Sequence, residues 1–292
     1  MRRGRGEYAW IDAHRDQFSV NRLCRVLAVS RSGYCQWRTR PPSPRTQANA
    51  ALDAEVAAIH RASRGSYGRP RIVRQLRAQG LSVGAERVRR SLQRQRLRQV
   101  YKRPYRVTTD SAHNLPVAPN LLDRRFGGWQ PNQAWVSDIT FVATDEGWLF
   151  LAAILDLSSR RIVGWSMSDR MQADLVCQAL RSAYWQRKPP PGLILHSDRG
   201  SQYTSRAHRT LAASWGMIVS MSRRANAWDN APMESFFKTL KVERIHQTRY
   251  ETRAQARLDI VDWIEGYYNR QRLHTSIDFL TPVDYEALRM AA

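Results

Sequence analysis

The sequence is short of cysteine, of acid and of long apolar runs. Its three cysteines, Cys24, Cys35 and Cys177, show neither CxxC spacing nor an even count, which argues against a disulfide framework or a zinc knuckle. They read as ordinary buried thiols of a reducing compartment. No stretch of 18 apolar residues occurs, and the N-terminal arginines are not followed by an apolar run of signal-peptide length. A soluble, cytoplasmic protein without membrane association is therefore expected. There is no tandem repeat. Lysine is confined to Lys102, Lys188, Lys238 and Lys241, so the positive charge is almost all arginine; codon bias explains this as well as a need for forked phosphate contacts does.

What is present is a large positive charge on a chain able to fold. The 292 residues are 42% hydrophobic, enough for a sizeable core and for two domains of about 100 to 200 residues each. Lys and Arg number 47 against 25 Asp and Glu, a formal charge of +22. A polyanion is the expected partner, nucleic acid before a membrane surface, because each phosphate neutralised releases condensed counterions. Residues 1–120 hold 25 basic and 7 acidic side chains (+18), while the remainder hold 22 and 18 (+4). The two halves are expected to do different work.

The basic half reads as two helix-turn-helix segments. In the first, Val20, Leu23, Cys24 and Leu27 share one helical face, Ala28-Val29 makes the turn, and Ser30 caps a second helix running to Trp37 that carries Arg31 and Arg38. The run Pro41-Pro42-Ser43-Pro44 marks a linker. The second segment has a helix from about Leu52 to Ser63, the loop Arg64-Gly65-Ser66-Tyr67-Gly68, a helix opened by Pro70 and ended at Gly80, and a helix from about Ala85 to Gln95. DNA contacts are expected from Arg31, Arg71, Arg87, Arg90 and Arg94. A helical bundle with a solvated charged face is the alternative. Residues 103–133 look like a connector, giving three regions at 1–44, 45–125 and 126–292.

Beyond the connector the pattern changes to three strand-like runs, Ala134–Ala143, Gly147–Leu155 and Arg161–Met167, joined by short turns. A helix from about Ala173, a strand from Gly192 to His196, a helix near Ser205, a strand from Met217 to Met221 and a helix from Ala231 follow. The fold class expected is α/β, a ribonuclease-H-like mixed sheet preceded by an all-α helix-turn-helix region.

Within it three acids stand out. Asp138 lies in the apolar strand Ala134-Trp135-Val136-Ser137-Asp138-Ile139, an expensive place for a charge. Asp198 ends the run Leu193-Ile194-Leu195-His196 and enters a glycine turn, where open α/β sheets often carry function. Glu234 follows Pro232 on a helix where Lys238 and Lys241 share its face. Alone, that last trio reads as a surface ion-pair ladder. Together the acids suit phosphodiester chemistry, in which clustered carboxylates hold two hard divalent cations.

Thirty-five residues separate Asp198 from Glu234, and the triad resembles the D, D-35-E arrangement of retroviral-type integrases and transposases. Trp135-x-x-Asp138-Ile139-Thr140, His196-Ser197-Asp198-Arg199-Gly200-Ser201-Gln202-Tyr203, Asp229-Asn230-Ala231-x-Met233-Glu234-Ser235-Phe236-Phe237-x-x-Leu240-Lys241, and Tyr268-Asn269-x-x-Arg272-x-His274-x-Ser276 with Thr281-Pro282 resemble the integrase core of insertion sequence three family transposases. Val29-Ser30-Arg31-Ser32-Gly33-Tyr34 and Gly65-x-Tyr67-Gly68-x-Pro70-Arg71-Ile72 resemble the helix-turn-helix region of that family's second reading frame. The matches cover nearly the whole chain.

The resemblance implies cleavage at element ends and strand transfer on double-stranded DNA, with Asp138, Asp198 and Glu234 ligating two Mg²⁺ or Mn²⁺ ions and Lys238 and Lys241 beside the DNA. It also implies a homo-oligomer on DNA and an upstream reading-frame product as fusion partner. His196 and Asn230 are weaker candidates for supporting the site. Asp229 and Glu243 read as capping and surface residues, and Trp215, Trp228 and Trp263 as packing residues. Two other functions stay open: a DNA-binding regulator without catalysis, and a ribonuclease-H-type nuclease that cuts without joining.

Overall fold

The computed structural model describes residues 5–100, 117–224 and 226–291; most of the first half of the expected connector, 101–116, lies outside them. The chain divides into two compact units, Met1–Val56 and Ala57–Ala292.

In the first unit α1 (Arg5–His14), α2 (Val20–Val26) and α3 (Arg31–Thr39) pack Ile11, Leu23, Cys24 and Tyr34 into one small core. Ser30 caps α3 as expected, its hydroxyl accepting the Gly33 N–H at 3.0 Å. Helix α1 was not foreseen, although the Tyr34 hydroxyl donates to its Asp12 at 2.8 Å. The proline run is a shorter break than expected. Pro44 opens α4 (Pro44–Ala62), because proline costs nothing at a first turn and Ser43 accepts the Thr46 N–H at 3.2 Å.

The second unit begins within α4 and continues through α5 (Arg69–Ala78) and α6 (Ala85–Arg94). A five-stranded mixed sheet follows, with β1 (Ala134–Thr144), β2 (Gly147–Asp156), β3 (Ile162–Ser168), β4 (Ile194–Ser197) and β5 (Ile218–Met221) in the order β3-β2-β1-β4-β5. Strands β1, β2 and β3 form the expected antiparallel meander. Strand β4 pairs parallel to both β1 and β5.

Alternation along β1 and β2 splits the core in two. Trp135, Ala152 and Ile154 face α7 (Ala173–Arg187), which is followed by the one-turn α8 (Ser201–Thr204) and by α9 (Arg206–Ser214). Val136, Leu151, Ala153 and Leu155 face α10 (Ala231–Glu243), α11 (Arg253–Val261) and the π-helical segment Asp262–Tyr268. Helix α7 lies so close to β3 that a Cβ on Gly164 would meet Ala183 Cβ at 2.5 Å and the Ala179 carbonyl at 2.6 Å. A final helix, α12, covers Pro282–Ala291. Among the described residues no helix is long and apolar enough to cross a membrane.

The loop Gly65–Gly68 before α5 is bound to the other end of this unit. Ser66 Oγ and Tyr267 Oη are 2.6 Å apart, the Tyr67 hydroxyl donates to the Gln271 carbonyl at 3.0 Å and accepts the Leu273 N–H at 2.8 Å, and Arg71 Nε donates to the Leu273 carbonyl at 2.9 Å. Arg71 also lies over the Tyr67 ring at 5.6 Å. Arg71, expected as a DNA contact, is half-buried, and its Nε is spent on docking this loop.

Candidate active site

Strand β1 is the middle strand, and its register with β4 pairs Val136 with His196. Continued two residues, that register sets Asp138 level with Asp198, one inside a strand and the other just past the end of its neighbour. Each carboxylate is oriented by local backbone: Asp138 Oδ1 accepts the Ile139 N–H at 2.8 Å, and Asp198 Oδ1 accepts the Gly200 N–H at 2.9 Å. A Cβ on Gly200 would stand 3.0 Å from that same oxygen, so a larger residue there would press on the carboxylate.

Glu234 arrives from the opposite layer, on the first turn of α10. Asn230, just before the helix, donates from Nδ2 to the Ser137 carbonyl at 3.1 Å and fixes the helix start against β1 beside Asp138. Glu234 itself is exposed, and the buried residues of α10, Met233, Phe236, Phe237 and Leu240, anchor the helix on the sheet.

The Asp138 carboxyl feels the charge of the other two acids. Burial pushes the Asp138 carboxyl well above the usual carboxylate range, and the charges of Asp198 and Glu234 push it further, against the Ile139 hydrogen bond and the cation of Lys241. Glu234 is raised by burial and lowered by Lys238, while burial lowers Lys241 against the pull of Asp138. Lys241 Nζ stands 4.6 Å from the centre of the Phe141 ring, which holds the ammonium beside β1. Tyr203, buried and 3.0 Å from Ser137 Oγ, is pushed far up by burial and by both aspartates.

The donor chemistry fits a hard divalent cation: carboxylate oxygens only, with more negative charge than Lys241 offsets. The spacing is open, since no three His, Cys, Asp or Glu among the described residues stand close enough together to hold a metal ion.

The remaining candidates are placed as follows. His196 is fully buried, with Nδ1 2.9 Å from Ser220 Oγ and Nε2 3.1 Å from Ser222 Oγ, so it latches β4 to the β5 strand and the residue after it. Burial takes its pKa down to about 4. Neither nitrogen is turned to the acids.

Arg31 is exposed at the start of α3. Arg87, Arg90 and Arg94 are exposed on α6, whose buried residues are Val88 and Ser91, though Arg90 Nε donates to Glu86 at 3.0 Å and Arg89 forks onto the same carboxylate. Arg90 is thus a paired cation.

Asp229 and Glu243 are neither caps nor surface groups. The Asp229 carboxylate is fully buried and accepts from Arg223 Nε at 2.8 Å and Nη2 at 2.7 Å, Arg124 Nε at 3.0 Å and Asn120 Nδ2 at 3.0 Å, which holds it far below the usual range. It ties segment 120–124 to the loop ahead of α10. Glu243 receives a two-pronged bond from the buried Arg272 at 2.9 and 2.7 Å. Of the tryptophans, Trp263 is buried and Trp215 stacks on Tyr184 with centroids 4.0 Å apart, but Trp228 is 72% exposed and packs no core. Tyr203 and Phe141 were missed as site neighbours. Tyr203's place in the Asp198 motif was the available signal, and Phe141 had none.

Residues 129–227 and 234–290 each match an Integrase core domain model, and residues 46–105 match an HTH-like domain. The chain is 45% identical to the Insertion element IS600 uncharacterized 31 kDa protein of Shigella sonnei, over 90% of this chain and 97% of that one. It is 43% identical to Transposase InsF for insertion sequence IS3A of Escherichia coli (strain K12), over 98% of this chain and 100% of that one. Among solved structures, the HTLV-2 integrase catalytic core domain in complex with magnesium aligns with 15% identity and a TM-score of 0.42, covering 55% of this chain and 99% of that one. At such identity over nearly its full length, the chain belongs to the family of IS3 transposases, with an integrase core and an HTH-like domain.

Proposed function

We propose that this transposase cuts DNA at the ends of its element and joins the freed 3′ ends to target DNA, using Asp138, Asp198 and Glu234. The observation that carries the reading is the Asp138 carboxyl, set inside the central strand and raised by burial and by both other acids. Such a charge cluster is costly unless it serves a cation and a substrate.

Asp138 and Asp198 would hold one hard divalent cation between adjacent strands, and Glu234 would complete the set, with Mg²⁺ or Mn²⁺ the best fit to oxygen ligands and two ions the expected number. Bound there, the metal supplies Lewis acidity that activates an attacking oxygen and stabilises a leaving one. The chain's own residues do the rest. The Ile139 and Gly200 amides fix one oxygen of each aspartate, Asn230 fixes the height of Glu234 over β1, and Phe141 holds Lys241 where its charge meets a phosphodiester. Lys238 and the exposed cations of α3 and α6 add phosphate contacts along the duplex. The expected working form is a homo-oligomer that bridges two DNA ends, with the upstream reading-frame product as its fusion partner.

The test is a joining assay with labelled element ends and Mg²⁺. Wild type joins ends to target, and Asp138→Asn binds ends but neither cuts nor joins them. Strand transfer by Asp138→Asn overturns the assignment. Cutting without joining by the wild type favours a nuclease, and binding alone favours a regulator.

A further inference from the structure

A cavity of about 360 Å³ opens on the side of α10 formed by Ala231, Ser235 and Thr239. Three arginines from distant parts of the chain line it: Arg71 at the start of α5, Arg160 in the turn between β2 and β3, and Arg272 after the π-helical segment. His274, Thr275 and Ser276 line the same space.

The charge in this cavity is unbalanced. Arg272 is neutralised by Glu243. Arg71 and Arg160 donate only to the carbonyls of Leu273 and Phe126, and neither forms an ion pair with a carboxylate among the described residues. Both are held below the usual arginine range, burial being the largest cause. Taking guanidinium groups out of water without a counter-charge costs several kcal/mol, and an anion in the cavity relieves that cost.

A second observation points the same way. His274 is only 7% exposed, sits edge-on to Tyr268 with centroids 4.7 Å apart, and leaves its buried Nε2 without a partner. Two guanidiniums without a counter-charge, beside a buried imidazole nitrogen that becomes a donor once protonated, form a donor set for an oxyanion, whose own charge favours that proton. The first turn of α10, which has no side-chain cap, adds the positive end of a helix dipole to the wall formed by Ala231 and Pro232.

We infer that this cavity is a phosphate-binding site, separate from the three acids and on another face of the same helix, whose occupant is a phosphodiester of the bound DNA. The inference rests on the proposed DNA-processing function for its choice of occupant. Free phosphate is the other source of the same chemistry. A strand held here and at Lys241 would be gripped on two sides of α10, which fixes its position relative to Glu234.

The test uses the full chain in two arms. In the first, DNA affinity is measured by fluorescence anisotropy across a salt series for wild type, Arg160→Met, Arg160→Lys and Arg181→Met, the last an exposed arginine of α7. Arg160→Met should reduce the slope of log K against log salt by about 0.9, the loss of one phosphate contact. Arg160→Lys should keep the slope, and Arg181→Met should leave it unchanged. In the second arm, melting is followed with added inorganic phosphate. The wild type should be stabilised, and Arg160→Met should not respond. His274→Phe, which keeps the edge-on ring and removes the nitrogen, gives the same reading if Arg160→Met does not fold. An altered slope identifies DNA as the source. A phosphate response lost in the variants, with the slope unchanged, identifies free phosphate. An unchanged slope together with no phosphate response in any protein overturns the site. Wild type that binds no DNA at all refutes the functional reading instead, and the phosphate arm alone then decides the cavity.

Discussion

His208 gives the sharpest prediction about stability. It lies on α9, 2% exposed, with its ring edge-on to Tyr203 at 5.4 Å and its Nδ1 buried without a partner. Burial lowers its pKa from 6.5 to about 4. A folded pKa below the unfolded one means that folding favours the neutral ring. The contribution is therefore fully present above pH 6.5 and lost as pH falls from 6.5 towards 4. From those two values the loss is about 2 kcal/mol by pH 5 and approaches about 3 kcal/mol at pH 4.

His208→Phe removes the titration while keeping the ring against Tyr203. At pH 7.5 it should change stability by no more than about 1 kcal/mol, because the lost hydrogen bond from the ring to the Tyr203 backbone is offset by removal of an unmet buried nitrogen. At pH 5 the variant should be the more stable protein by roughly 2 kcal/mol. Urea unfolding followed by circular dichroism at pH 7.5, 6.5, 5.5 and 5.0 measures both curves. Parallel curves over that range would refute the reasoning, since they would mean that His208 titrates alike in the folded and unfolded chain.

Arg272→Met leaves Glu243 buried and unpaired and should cost about 3–5 kcal/mol in urea unfolding, whereas Arg272→Met with Glu243→Leu should recover most of it. Asn230→Ala removes the tie between α10 and the Ser137 carbonyl; single-turnover strand transfer should fall about 100-fold, with DNA affinity unchanged, because a displacement of about 1 Å costs that much. Asp229→Asn strips the counter-charge from Arg124 and Arg223, and limited trypsin digestion should then cut first within 222–230. Lys241→Met should lower DNA affinity and reduce the salt slope by about 0.9.

The sequence made legible whatever repeats at a fixed period. The strands at Ala134, Gly147 and Ile162 declare themselves as strand-like runs separated by short turns, and the helices at Arg69 and Ala231 by Pro in their first turns. Asp138 was visible because an acid interrupts an apolar strand, a conflict between neighbours in sequence. Helix α1 was not visible, since Ile11 is its one fully buried apolar residue. Partners far apart in sequence were equally hidden. Asp229 resembles a helix cap until Arg124, 105 residues away, is found on its carboxylate, and nothing near Arg71 in sequence announces its bond to Leu273, 202 residues on. Acids and arginines near a site therefore carry two kinds of information, and only the local kind is written in order along the chain.

That distinction bears on the C-terminal motif Tyr268-Asn269-x-x-Arg272-x-His274. Asn269 takes the place of a missing strand at β3, its Oδ1 accepting the Ile162 N–H at 2.9 Å and its Nδ2 donating to the Ile162 carbonyl at 3.0 Å. Arg272 holds the end of α10 through Glu243, and the backbone from Gln271 to Leu273 receives Tyr67 and Arg71. One short segment thus joins the sheet edge, the helix that carries Glu234 and the loop that opens the helical region before the sheet. A displacement of α5 would act on Leu273 and Arg272 before it reached α10. The motif is thus the mechanical link between α5 and the helix that carries Glu234.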